Sequence, residues 1–232
     1  MEKYIKSITA LNDLTLSKKN ADEVNRYAES DIFWATNKNK PLLSRQVKKG
    51  NVYQFEFGKN FIPEMSYEHR GLVIGSSKQL LYVLPICSYN EKFPDHKTAY
   101  HPTNNPESKS NFFLLKGCEH PFLRHDSVLK LNDIRTVSVA RIKYKQHDGF
   151  IDPSSDTYKA IEKLVFTKYF YDYAYKFDRV TDENEKLTQQ LTETTESLKS
   201  LETQIASMKA MIAEHGFDDD CQAFLRKLLG VE

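Results

Sequence analysis

The sequence predicts an α+β protein in which a small barrel or strongly curved sheet lies between a helical N-terminal extension and a long C-terminal helix running into a coiled coil. Three observations predict it. Short apolar runs of strand length, divided by turn residues, fill the middle of the chain. The segment before them has the spacing of polar helices. The segment after them holds an unbroken heptad register. The expected zones are a helical extension over 1–45, the barrel and its helix over 46–176, a coiled coil over 177–213 and a short helix over 214–232.

In the first zone, the run from Ala21 through Phe33 and Trp34 sets Val24, Tyr27, Ala28 and Ile32 on one helical face. Asn20 can cap that helix, with Glu23 as its capping-box partner. Asn37-Lys38-Asn39-Lys40-Pro41 breaks the pattern. Trp34, the only tryptophan, is expected to pack on the following domain, since large aromatics are usually buried in part.

The second zone reads as strands. Val52, Phe55 and Phe57 with polar residues between them predict a half-buried strand. Leu72-Val73-Ile74 and the run from Leu80 to Ile86 flank the turn residues Gly75-Ser76-Ser77-Lys78. Val128–Leu131 and Thr136–Val139 predict two more strands. Tyr89–Ser110, with three prolines and Asn104-Asn105, reads as a long loop.

Residues 154–213 read as one long helical region, capped by Ser154 or Ser155. Tyr158, Ile161, Leu164, Val165 and Tyr169 have the period of a helix packed on a core. From Val180 to Ile212 the seam positions alternate steps of four and three without a miss, and all but Asn184 and Thr194 are apolar. Asn184 falls at an a position, where a polar residue fixes register and oligomer state, and Thr194 at d weakens the seam. A helix lying on its own domain is the other reading. Gly216 ends the helix, and Phe224, Leu225, Leu228 and Leu229 mark a short terminal one.

The formal net charge of +1 hides an asymmetry. Val47–His147 carries 15 Lys and Arg against 9 Asp and Glu, whereas Phe177–Glu232 carries 6 against 12. A basic middle is the natural seat of an anionic partner such as RNA. No apolar run approaches the ~20 residues that cross a bilayer, and Met1–Lys6 lacks the apolar core of a signal peptide. A cytoplasmic protein without membrane association is expected. Cys87, Cys118 and Cys221 are far apart and form no CxxC pair, so neither a disulfide framework nor a metal site is expected.

Two segments carry a family resemblance. The first is Lys48-Lys49-Gly50-Asn51-Val52-Tyr53, followed by Arg70-Gly71-Leu72-Val73-Ile74. The second is Ser127-Val128-Leu129 with Ile134-Arg135-Thr136-Val137, then Arg141-Ile142. In order and spacing, over roughly residues 48–172, they resemble the MazF/PemK family of toxin endoribonucleases. The resemblance implies an SH3-like barrel, usually dimeric, that cuts single-stranded RNA with no metal ion and no cofactor. The ribose 2′-hydroxyl is the nucleophile in such cleavage, so the site must supply a cation and proton transfer. By similarity Arg70 is the cation, because its planar fork grips phosphate oxygens in two places.

Cys87 aligns with the family's threonine, and its neighbour Ser88 is the better hydrogen-bond donor. His69 is a candidate for proton transfer, with Glu68 as its rival. Lys130, Asn132, Arg124 and Arg135 are candidate RNA-binding residues, and His125 adjoins Arg124 on the same groove. A structural, strand-bridging role is the other reading of Arg135. Gly71 departs from the family's proline, and Asn132 cannot serve as a carboxylate base. The implied partners are single-stranded RNA, an antitoxin protein and a second copy held through the barrel, the coiled coil or both. A second reading is a barrel impaired in catalysis that acts as an RNA- or protein-binding module assembled through its coiled coil. A third makes the coiled coil the main function and the barrel a scaffold.

Overall fold

Apolar side chains occupy both faces of one antiparallel sheet, and covering both faces sets the architecture. The computed structural model describes residues 1–17, 21–39, 47–215, 223, 226 and 227. It has the expected α+β class. Seven strands are present among the described residues: β1 (Asn51–Glu56), β2 (Glu68–Ser77), β3 (Leu80–Ser88), β4 (Phe112–Leu115), β5 (Ser127–Lys130), β6 (Arg135–Ser138) and β7 (Ile142–Phe150). They pair in the order β4-β5-β3-β2-β1-β7, with β6 also on β3. Five helices accompany them among the described residues: α1 (Glu2–Ser17), α2 (Ala21–Asn37), α3 (Pro94–Lys97), α4 (Asp156–Tyr169) and α5 (Tyr171–His215). The chain divides into two compact units, Met1–Tyr171 and Asp172–Glu232.

Period-two alternation sorts the core. Val52, Leu72, Leu84, Ile86, Phe113 and Leu129 point to one face, which α4 covers with Tyr158, Ile161 and Val165. Their neighbours Tyr53, Phe55, Val73 and Val83 point to the other face and meet Val137 and Ile142 there. Among the described residues the second face has no helix in its cluster, and the sheet covers it by curling. Long β3 makes this possible. β6 takes its Leu80–Val83 half and β5 its Ile86–Ser88 half. β7 lies on the far edge of β1, yet only the 3-10 turn Val139–Arg141 separates it from β6. Register shifts in β1–β7 and between Val73 and Gly75 supply the bend. β6 and β7 form no ladder, so the sheet is strongly curved but open.

Gly50 immediately precedes β1 at φ +87, and a Cβ there would lie 2.3 Å from the Ile151 carbonyl oxygen. Its N–H donates to Val73 and its carbonyl accepts from Ile151, locking the start of β1 to both neighbours. Ser155 caps α4 by accepting from the Tyr158 N–H at 3.2 Å. Tyr169, at the end of α4, accepts from the Ile134 N–H at 2.9 Å.

Several expectations are corrected. The region 154–213 is two helices, because Phe170 leaves helical backbone at φ −133, ψ 48 between α4 and α5. β4 and β7 are strands that the sequence does not announce; β7 is an edge strand with a mainly polar sequence and carries no apolar alternation. The Tyr89–Ser110 segment contains α3 and closes around a buried His96, against which Tyr89, Phe93 and Phe112 pack. The inner face of α2 is Val24, Tyr27, Ser30, Phe33 and Asn37, and both Ala28 and Ile32 are exposed. Trp34 is 60% exposed. The expected Asn20 cap, Pro41, the Gly216 stop, Cys221 and the terminal helix around Phe224 and Leu228 lie outside the described residues. Among the described residues no helix is long and apolar enough to cross a membrane.

Candidate functional site around Arg70

Strand register places Arg70. It pairs with Gln54 on β1 and Ile86 on β3, and the row continues to Tyr144 on one side and to Leu129 and Phe113 on the other. Directly paired residues share a face. The Ile86, Leu129 and Phe113 end of the row is buried core, while Tyr144 is exposed. Arg70 therefore sits half-buried where the core gives way to solvent. One row further along the same face lie Ser88 and Ser127, paired across β3 and β5.

The polar contacts follow from that placement. The Arg70 guanidinium donates to Ser127 Oγ at 3.4 Å. Ser127 is fully buried and its hydroxyl donates to the His125 carbonyl at 3.3 Å. The His125 Nε2 shares a 2.9 Å hydrogen bond with Ser88 Oγ, and both residues are exposed. Burial pushes the Arg70 pKa down, the Cys87 and Tyr144 groups oppose that, and the neighbouring Arg124 cation adds to it. Arginine still stays charged near neutrality. The result is a cation, a serine–histidine pair and an exposed tyrosine around one stretch of sheet.

Pleating sets the other two candidate residues apart. Cys87 pairs with Val128 and His69 with Phe55, so both are one residue off the Arg70–Ser88 face. Burial raises the Cys87 thiol pKa, against the pull of Lys130 and Arg70, and keeps it neutral. Burial also pushes His69 below the usual imidazole range, helped by the Arg26 and Arg70 cations. Glu68 pairs with Lys143.

Lys130 and Arg135 have structural partners. Lys130 donates to the Pro63 carbonyl and lies 3.7 Å from Asp133. Arg135 pairs with Asp133 at 2.7 Å and with Glu64 at 3.1 Å. Asp133 also accepts from the Met65 N–H at 2.8 Å. These residues clamp the loop between β1 and β2, whose tip Phe61-Ile62 stands 87% and 97% exposed. Asn132 and Arg124 are exposed in the turns beside β5.

Ser127, Tyr144, Gln54 and Asp133 escape sequence reasoning. Ser127 lies within the family-like segment but reads there as a strand start. Tyr144 and Gln54 are polar members of strands, and only register brings them beside Arg70. A scan against protein-family models matches none, and a search of curated proteins returns no relative of this chain.

Proposed function

We propose that this protein cleaves single-stranded RNA, with the 2′-hydroxyl beside the scissile phosphate as nucleophile and Arg70, Ser88 and His125 as the working residues. One observation supports it above the others: a half-buried guanidinium stands beside a serine–histidine pair on one face of a curved sheet. The MazF/PemK resemblance and the basic middle of the chain point the same way. The strands β7-β1-β2-β3-β6, joined through the 3-10 turn, read as an SH3-like barrel with an unpaired seam between β6 and β7.

In this mechanism the phosphodiester lies over Arg70. Its guanidinium holds the non-bridging oxygens and stabilises the charge that builds as the bond from O2′ to phosphorus forms. Ser127 fixes the guanidinium plane. His125, oriented by Ser88, carries the proton between the 2′-oxygen and the departing 5′-oxygen. The bond from phosphorus to O5′ breaks, leaving a 2′,3′-cyclic phosphate and a 5′-hydroxyl. Tyr144 offers an exposed ring on which a base can stack. His69 and Cys87 take no part in the chemistry, and Lys130 and Arg135 shape the adjoining loop. Arg124 and Asn132 contact the RNA backbone.

The test is cleavage of mixed single-stranded RNA by purified protein. Arg70→Ala is expected to abolish it. His125→Ala is expected to slow it by roughly 10²–10⁴-fold, with the unfolding midpoint unchanged. Wild-type rates in His125→Ala would remove the histidine from the mechanism.

A further inference from the structure

We infer that α5 pairs with the α5 of a second copy of this chain as a parallel, in-register, two-stranded coiled coil. The pairing is independent of the RNA chemistry above.

α5 is unbroken from Tyr171, so its seam starts earlier than Val180. Tyr173 and Phe177 continue the same alternation of four and three. The seam then runs from Tyr173 to Ile212, about 60 Å at 1.5 Å per residue. Its large apolar members from Tyr173 to Met208 are between 38% and 68% exposed. A stripe of that length at strict heptad spacing is built for another helix, not for water.

The polar layers identify that helix. In a parallel, in-register pair each a residue meets the same a residue and each d the same d. Asn184 then meets Asn184, and an amide both donates and accepts, so the two complete each other. Thr194 meets Thr194, and the hydroxyls do likewise. Antiparallel overlap of the whole seam sets Asn184 against Leu201 and Thr194 against Leu191. Both polar groups would then be buried without partners. A helix of unrelated sequence has no reason to carry polar residues in the same two layers.

The flanking charges agree. Parallel pairing sets Lys176 across from Thr181, Glu183 from Thr188, Glu202 from Ser197 and Lys209 from Gln204. No like charges oppose each other in these four pairs. Parallel pairing therefore sets no like charges against each other at these flanking positions.

Light scattering on the full chain, behind a sizing column, should give the mass of two copies. Leu191→Lys with Leu198→Lys should give one. Orientation is read by mild oxidation of Val180→Cys and, separately, Leu201→Cys. In the parallel pair each lies in the layer of its own copy, and both variants should link two chains through the new position. Antiparallel overlap separates the two copies of position 180 by about 37 Å, too far for any disulfide. Peptide mapping distinguishes these links from any through Cys87, Cys118 or Cys221. A monomeric wild type, a three-chain mass, or a dimer that links at neither position would overturn the inference.

Discussion

Arg70 and Gly71 are neighbours with opposite duties. Arg70 meets solvent beside Ser127, while Gly71 faces the inside of the curl. A Cβ on Gly71 would lie 2.4 Å from Val83 Cγ1 and 2.9 Å from Phe55 Cδ2. Overpacking of this kind costs about 1–3 kcal/mol, so Gly71→Ala should lower the urea midpoint accordingly. An unchanged midpoint would mean that the inner face is loosely packed. His69 gives a prediction in pH. Its folded pKa lies below the ordinary value, so the unfolded chain binds the extra proton. Its contribution to stability is full above the ordinary imidazole value of ~6.5 and is lost as pH falls through that value toward the folded one. Burial acts in the same direction on His96 and His120. Urea unfolding from pH 7.5 to 5 should show the wild type losing stability below ~6.5, and His69→Asn losing less. An identical pH slope in the variant would remove His69 as a source.

At the scale of elements, the loop between β1 and β2 is held by the turn between β5 and β6 and by the start of β6. Asp133 binds its Met65 N–H and Arg135 at once, and both charged side chains are largely buried. Asp133→Ala leaves Arg135 short of its closest counter-charge and should cost about 3 kcal/mol. It should also speed limited proteolysis between Lys59 and Ser66. Digestion at the wild-type rate would show that the loop is held by other contacts. Elements were legible where one period dominated. β2, β3 and the packed face of α4 announce themselves through apolar runs and helical spacing. β7 does not, since its pairing with β1 is a backbone matter and its side chains are mainly polar. The inner face of α2 departs from its apolar pattern because Ser30 is buried for its bond to Glu56, a contact 26 residues away. No local pattern encodes that. The same holds at the site: Arg70 stood out in its motif, whereas Ser127 and Tyr144 reach it only through cross-strand register.

At the scale of the whole molecule, one unit carries a curved sheet with two buried faces and the other an apolar helical seam. The charge asymmetry follows this division, with the basic stretch in the sheet unit and α5 carrying 8 Asp and Glu against 4 Lys and Arg from Phe177 to His215. The coiled coil was readable because its period is long and strict. The openness of the sheet was not, because closure depends on whether β6 and β7 form a ladder after the turn at Val139–Arg141. RNA cleavage at Arg70 has one direct test. Single-stranded RNA is incubated in EDTA with wild-type protein and with Arg70→Ala, and the fragment ends are mapped. Cleavage by the wild type alone, leaving 2′,3′-cyclic phosphates and 5′-hydroxyls, is the predicted result. Intact RNA with both proteins, each folded, would contradict it and leave the Arg70 face as a binding surface.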